Sequence, residues 1–218
     1  MKSSLLLRQG AGEMGIALTD EMCRTLLELA DHVLFWRTVA GLTSYTDLQD
    51  VLIYMVLDSL AAMPMLAASS SLKVLDLGTG AGFPGLPLKM AMPSIDLTLM
   101  DSSRRKVEFL TSLVRVMGLS EVSICCCRAD DIRSNETLRS FDVIVSRACA
   151  SLAELCQLSL PYLKQGSRIL AWKGPQLDKE LEDARPILSD NNLFFDGSFP
   201  YTLPFAGRSC TIAAVRKM

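Results

Sequence analysis

Apolar residues recur every third or fourth position through the first sixty-odd residues, then gather into short, nearly continuous runs from Leu72 onward. The first regime is helical. Thr19 offers a side-chain oxygen to the first free N–H groups of a helix, and Asp20 and Glu21 suit its dipole. Met22, Leu26, Leu29, Val33, Trp36 and Ala40 then share one face, and Gly41 ends it. A second helix is predicted from Thr46-Asp47, with Leu48, Leu52, Met55 and Ser59 or Leu60 facing one way, and it should stop by Met63-Pro64. The small residues at 67–71 read as a linker.

The second regime alternates strand-like and helix-like segments. Strands are predicted at 73–77, 96–100, 122–127, 141–145 and 168–172, and helices at 86–92, 103–117, 151–163 and 176–189. Such alternation builds a parallel, doubly wound sheet. Two further strand-like runs, 193–202 and 211–216, have no helix between them and predict a closing antiparallel hairpin. The expected fold is α/β, a doubly wound, mostly parallel, seven-stranded sheet, with residues 1–71 a helical N-terminal region and 72–218 the main domain.

Composition narrows this only slightly. Of 218 residues, half are hydrophobic and 21% charged, enough apolar material for a large core. The net charge of −2 gives no global attraction to polyanions, so any nucleic-acid contact must come from a local basic patch. Seven cysteines form no C-x-x-C pair and read as reduced, mostly packed thiols of a cytosolic protein, with no metal site. Arg8, Gln9 and Glu13 interrupt the N-terminal leucines before a secretory segment can form. The longest apolar stretch, 51–68, contains Asp58 and Pro64 and reads as a core helix rather than a membrane span.

The most informative chemistry follows the first predicted strand. Asp76 closes an apolar run, and Gly78, Gly80, Gly82 and Gly85 occupy four of the next eight loop positions. Glycines at this place let bare backbone approach a nucleotide-type cofactor. Asp101, 23 residues beyond Gly78, ends the second strand, where a carboxylate can take both ribose hydroxyls. That position serves NAD and S-adenosylmethionine alike. Two features favour S-adenosylmethionine. A carboxylate at Asp76 would repel a pyrophosphate but suit the cationic amino-acid end of the sulfonium cofactor. Pro84 also lacks the N–H that an anion site would use. After the third strand, Asp130 or Asp131 can receive an adenine amino group, with the neighbouring backbone reading the ring; alone, either could equally cap a turn.

The fourth strand ends at Val145-Ser146-Arg147-Ala148. It carries neither the Asn/Asp-Pro-Pro-Tyr turn used for exocyclic amines nor a Pro-Cys nucleophile for cytosine C5, and Cys149 reads as packing. Arg147 offers a planar cation that can hold a phosphate, a guanine edge or a carboxylate, or form a sheet-edge ion pair. Guanine N7 suits a site without a base, because its in-plane lone pair carries no proton. Catalysis would then consist of alignment and exclusion of water.

The stretch Leu77-Gly78-Thr79-Gly80-Ala81-Gly82-Phe83-Pro84-Gly85-Leu86-Pro87-Leu88 resembles the signature of the bacterial small-subunit (16S) ribosomal RNA guanine-N7 methyltransferases, the RsmG/GidB family. So do Val145-Ser146-Arg147-Ala148, Trp172-Lys173-Gly174, Leu42-Thr43-Ser44 and Leu57-Asp58-Ser59, so that the resemblance covers roughly residues 20–216. It implies a Rossmann-like, class I methyltransferase that is cytoplasmic, monomeric and dependent on S-adenosylmethionine, with 16S rRNA as partner. It also implies that Gly78 and Phe83 line the cofactor, Asp101 meets the ribose, Ala129 and Asp130 meet the adenine, and Arg147 stands between cofactor and acceptor with Lys173 nearby for RNA. The chain departs from the family at Gly41, at Tyr54-Met55 (usually Arg-His) and at Ser209 (often His), which removes polar and basic groups from RNA-facing positions.

The cofactor set expected is thus Asp76, Gly78, Gly80, Phe83, Asp101, Ala129, Asp130 and Arg147, with Arg147 also positioning the acceptor and no general base. For RNA, Arg104, Arg105, Lys173 and Arg208 are the candidates. Lys106, Arg115, Arg128, Arg133, Arg139, Lys164 and Arg168 could share the same face. His32, the sole histidine, lies away from the glycine loop and is given no catalytic role. The competing readings are a methyltransferase of small molecules or proteins, an S-adenosylmethionine-binding protein without turnover and, as an outsider, an NAD-dependent oxidoreductase.

Overall fold

The structure is a computed structural model that describes residues 2–66, 71–131, 140–148 and 150–218. Seven strands form one sheet in the order β3-β2-β1-β4-β5-β7-β6. They are β1 Lys73–Leu77, β2 Asp96–Asp101, β3 Val122–Cys126, β4 Phe141–Arg147, β5 Leu163–Lys173, β6 Leu193–Leu203 and β7 Arg208–Lys217. The first five are parallel, while β7 runs antiparallel between β5 and β6. The expected doubly wound sheet and closing hairpin are both present. The order of connections reverses between β1 and β4, so a crevice opens beyond their carboxyl ends, the usual ligand position in such sheets.

Alternation along each strand divides the apolar residues between two faces. Val74, Leu97, Val143, Val145, Leu170 and Ile212 pack under the N-terminal helices. Those helices are α1 Lys2–Glu13, α2 Asp20–Ala40, α3 Leu48–Val51, α4 Asp58–Leu60 and α5 Met63–Leu66, joined on this face by α6 Gly85–Ala91 and α7 Arg104–Val116. Leu75, Leu77, Ile144, Ile169, Ala213 and Val215 face α8 Leu152–Ser159 and α9 Leu177–Asp190. The helical N-terminal residues thus share a core with the sheet. The linker expected at 67–71 lies, apart from Ser71, outside the described residues.

The local signals explain most boundaries. Thr19 Oγ1 accepts from Met22 N, and Gly41 closes α2 in the left-handed region at φ 64°. Asp47 caps α3 through Gln49 N. Between α3 and α4, residues Leu52–Leu57 adopt a π-helical turn. A 3.6-residue hydrophobic period cannot reveal that register, and such turns gather at functional sites. The apolar stretch Leu48–Leu66 is long enough to cross a membrane, yet Val51, Val56, Leu57, Leu60 and Leu66 are fully buried in the core. The helix expected to reach residue 163 stops sooner. Pro161 confines the chain to a single 3-10 turn, Leu160–Tyr162, and β5 starts at Leu163.

Candidate functional site

The glycine loop hangs from the end of β1 by a dense set of bonds. Gly78 N and Thr79 N both donate to Met100 O at 2.9 Å. Beneath the loop lies Asp76, wholly buried, whose Oδ2 accepts from Thr79 Oγ1 and from Gly85 N, each at 2.7 Å. A carboxylate in this place ties the two ends of the loop together. Gly85 must be glycine for the same reason, because a Cβ there would stand 2.7 Å from Asp76 Oδ2 and 2.9 Å from Leu99. Asp76 Oδ1 has no hydrogen-bond partner among the described residues. Burial pushes the carboxyl up to about 7 against the lowering effects of its two donors and of Arg147. The structure places Asp76, expected to face the cofactor, beneath the loop, where it bonds Thr79 and Gly85.

Above the loop, Asp101 connects three pieces. Its Oδ2 accepts from Gly80 N at 2.9 Å, its Oδ1 accepts from Ser103 N at 2.8 Å, and Lys106 Nζ stands 4.0 Å away. Each carboxylate oxygen has two acceptor sites, so both remain able to receive a hydroxyl. A cleft of about 220 Å³ opens here, and Gly78, Asp101, Ala129 and Asp130 all line it. The structure brings together these four of the residues expected to hold a cofactor. Ala129 is pinned through its carbonyl by Tyr162 OH at 2.8 Å. Asp130 is paired with Arg128, which holds its carboxyl below the ordinary value. Gly80 joins the group through its bond to Asp101 rather than by lining the cleft. Cys127, Ser102 and Glu154 also line the cleft, and sequence reasoning did not single them out. Cys127 shares a thiol–thiol hydrogen bond of 2.6 Å with Cys125.

Phe83 and Arg147 stand apart from that cleft. The Phe83 ring is buried, and the Arg147 guanidinium lies over it at 5.6 Å from the centroid. Arg147 ends β4 and faces a second cavity of about 590 Å³, enclosed by the N-terminal helices and the carboxyl ends of β4 and β5. Arg147 Nη1 donates to Asp58 Oδ2 at 3.0 Å and to Tyr54 O, in the π turn, at 2.9 Å. Tyr201 OH donates to Asp58 Oδ1, and Trp172 Nε1 donates to Asp58 O at 2.9 Å. Asp58 is thus the hub of the cavity. Its sequence signal was a charge inside the longest apolar run, which is costly unless partnered.

The basic candidates divide. Arg208 is exposed and lines the second cavity. Lys173 also lines it, but its side chain is only 7% exposed and is held by Glu180 Oε2 at 2.8 Å and Ala150 O at 2.7 Å. The structure thus places Lys173, expected to be offered to RNA, with its charge paired inside the fold. Arg104 and Arg105 are exposed at the start of α7 and line neither of these cavities. Arg105 instead borders an apolar groove with His32 and Trp36. Lys164, paired with Asp142, and Arg168, bonded to Met65 O, lie toward the amino ends of the parallel strands. A single basic face joining all of these residues is not formed. Arg133, Arg139 and Cys149 lie outside the described residues.

Among the described residues that line the second cavity, both carboxylates are engaged. Asp58 is held by Arg147 and Tyr201, and Glu180 by Lys173 and by Leu152 N at 2.7 Å. Burial, then the nearby Asp58 carboxylate, raise both the Tyr201 hydroxyl and the Cys210 thiol above their ordinary values. Among the described residues, then, the cavity presents cations, hydroxyls and rings, with no group poised to remove a proton near neutrality.

Residues 22–206 match the GidB family, described as rRNA small subunit methyltransferase G. The ribosomal RNA small subunit methyltransferase G of Alkaliphilus metalliredigens is 33% identical over 219 residues, covering 100% of this chain and 92% of the relative. That of Alkaliphilus oremlandii is 35% identical, covering 98% and 90%. Among solved structures, a SAM dependent methyltransferase from Aquifex aeolicus superposes with a TM-score of 0.57 at 18% identity, covering 78% of this chain and 93% of the other. Precorrin-6y C5,15-methyltransferase from Geobacter metallireducens gives 0.53 at 15% identity, covering 73% and 87%. These structural likenesses speak to the fold.

Proposed function

Since the chain belongs to the GidB family of rRNA small subunit methyltransferases G, we propose that it transfers a methyl group from S-adenosylmethionine to N7 of a guanine in 16S rRNA. S-adenosylmethionine supplies, when bound, an electrophilic methyl group on a sulfonium. The cleft beside β1 fits such a cofactor: bare backbone at Gly78, a carboxylate with open acceptor sites at Asp101 for the ribose, and Ala129 with Asp130 beyond it for the adenine.

The observation that carries the choice of acceptor is the engaged state of both carboxylates in the neighbouring cavity. An exocyclic amine or a hydroxyl would have to lose a proton on methylation, and nothing described there is placed to take it. Guanine N7 loses none. Its lone pair would take the methyl group that the bound cofactor supplies, leaving a neutral thioether and a cationic purine. The work of the chain is orientation, which can supply several kcal/mol. Arg147, held rigid by Asp58, Tyr54 O and the Phe83 ring, presents donors to the O6 edge of the base. Arg208 at the rim suits a phosphate. We read the enzyme as a cytoplasmic monomer, in the compartment where the small subunit is assembled.

The test is to incubate the purified chain with S-adenosylmethionine and small subunits from a strain lacking the modification, then to digest the RNA and weigh its nucleosides. N7-methylguanosine should appear. A methyl group on another atom, or on ribosomal protein alone, would overturn the reading.

A further inference from the structure

Opposite Arg147, the second cavity carries a feature that the proposed transfer leaves unexplained. Tyr45, in the loop after α2, and Tyr54, in the π turn, stack almost parallel, with ring centroids 5.4 Å apart and planes at 12°. Both are half-buried and both line the cavity. The pair rests against a core built largely of leucine and valine on one side and stands, partly open, at the cavity wall on the other. Tyr54 is also the residue whose carbonyl receives Arg147 Nη1 at 2.9 Å. One turn of the chain therefore places both an aromatic face and the guanidinium that meets the base edge.

We propose that the Tyr45–Tyr54 pair is the platform on which the acceptor base stacks once it is drawn out of the RNA, so that the base is gripped on its face by tyrosine and on its edge by Arg147. The inference rests on the proposed guanine-N7 transfer and adds the base-binding surface to it. A cavity of about 590 Å³ falls within the range of small-ligand sites. Single-stranded bases are characteristically held by stacking on aromatic side chains with cations along the backbone path, and Arg208 stands on the rim of the same cavity. Stacking on an electron-rich phenol also favours the product, because N7-methylguanine is a cation.

The experiment uses the full chain and two readouts. In steady-state transfer to small subunits, Tyr45→Leu and Tyr54→Leu should each raise KM for RNA about tenfold or more, the order expected for loss of one stacked base. The affinity for S-adenosylhomocysteine and the melting temperature should stay close to those of the parent. Tyr54→Phe should recover most of what Tyr54→Leu loses, because stacking needs the ring and not the hydroxyl. In direct binding, the fluorescence of 7-methylguanosine monophosphate should be quenched by the parent chain and not by the leucine variants. The parent chain labelled with 3-fluorotyrosine should show the Tyr45 and Tyr54 resonances, assigned through Tyr45→Phe and Tyr54→Phe, moved by ring current on adding the same nucleotide, while the signals of the other two tyrosines move less. Unchanged KM in both leucine variants of an active enzyme, or no movement of the fluorotyrosine signals, would overturn the platform. A parent chain that binds the nucleotide at these rings yet methylates no RNA would overturn the transfer reading and leave the platform standing.

Discussion

Arg147 Nη1 and Asp58 Oδ2 meet at 3.0 Å, one from the end of β4 and the other from the helical N-terminal residues, 89 positions apart in sequence. The contact makes the N-terminal helices a structural part of the second cavity. It also places a carboxylate in a largely apolar setting where its two oxygens are taken by Arg147 and Tyr201.

Removing one member of such a pair leaves the other charge poorly solvated. Asp58→Ala is predicted to lower the unfolding free energy by about 3 kcal/mol, the lower end of the range for buried pairs since this one is slightly open to solvent. Methyl transfer should fall at least tenfold while cofactor affinity changes little. Asp58→Asn, which keeps a carbonyl acceptor, should recover much of the stability and less of the rate. Urea unfolding and single-turnover transfer measure both, and equal rates in all three chains would contradict the positioning role.

Asp76 predicts a pH dependence of stability. Its carboxyl titrates near 7 in the folded chain against 3.8 for the unperturbed group. The folded state holds this proton more tightly than the unfolded one. The resulting contribution is complete below about pH 4 and is lost as pH rises through 7. Each tenfold gain in proton affinity is worth about 1.4 kcal/mol, so the contribution amounts to a few kcal/mol. The stability of the parent should therefore fall from pH 5 to pH 8 relative to Asp76→Asn, as read from urea midpoints. A parallel pair of profiles would show that the carboxylate is charged throughout.

Gly85→Ala would set a methyl group 2.7 Å from Asp76 Oδ2 and press on Leu99. Overpacking of this kind costs roughly 1–3 kcal/mol. Because the displaced contact is the one that closes the glycine loop, binding of S-adenosylhomocysteine should weaken along with thermal stability. Calorimetry showing a lower melting temperature but parental affinity would separate the loop from the cleft.

Lys173 and Arg208 should behave differently although both border the same cavity. Arg208→Ala should weaken RNA binding uniformly and reduce the salt slope by about 1, as expected for the loss of one phosphate contact. Lys173→Ala should leave that slope unchanged and instead lower stability, since it strands Glu180 beside Leu152 N. Filter binding across a salt series decides the matter, and a slope change in the lysine variant would return Lys173 to the RNA surface.

The residues that the structure gathers at one cleft are those that follow successive strand ends in the sequence. The glycine loop, Asp101 at the end of β2 and the Ala129-Asp130 pair after β3 follow the repeat of a parallel sheet, in which every strand delivers its last residues to one edge. For Asp76 the sequence indicated the strand end but not the direction in which the side chain points. A strand-end carboxylate can point outward to a ligand or inward to its own loop, and the choice depends on Thr79 Oγ1 and Gly85 N folding back beneath it. The pairing of Lys173 was hidden for a similar reason, since its partner Glu180 belongs to the following helix.

By itself, the order of apolar and polar residues determined the layering of this protein. Period and run length dictate helix or strand, and alternation with glycine-rich turns dictates a parallel sheet with its ligand edge. Only the tertiary structure decided which charges are neutralised and which rings are left open. The engagement of Asp58 by Arg147 and Tyr201 joins segments distant in sequence, and the π turn at Leu52–Leu57 and the Tyr45–Tyr54 stack lie in the chain beside it. Burial and pairing are properties of the surroundings of a side chain, and no local pattern encodes surroundings supplied by residues some ninety to one hundred and forty positions away.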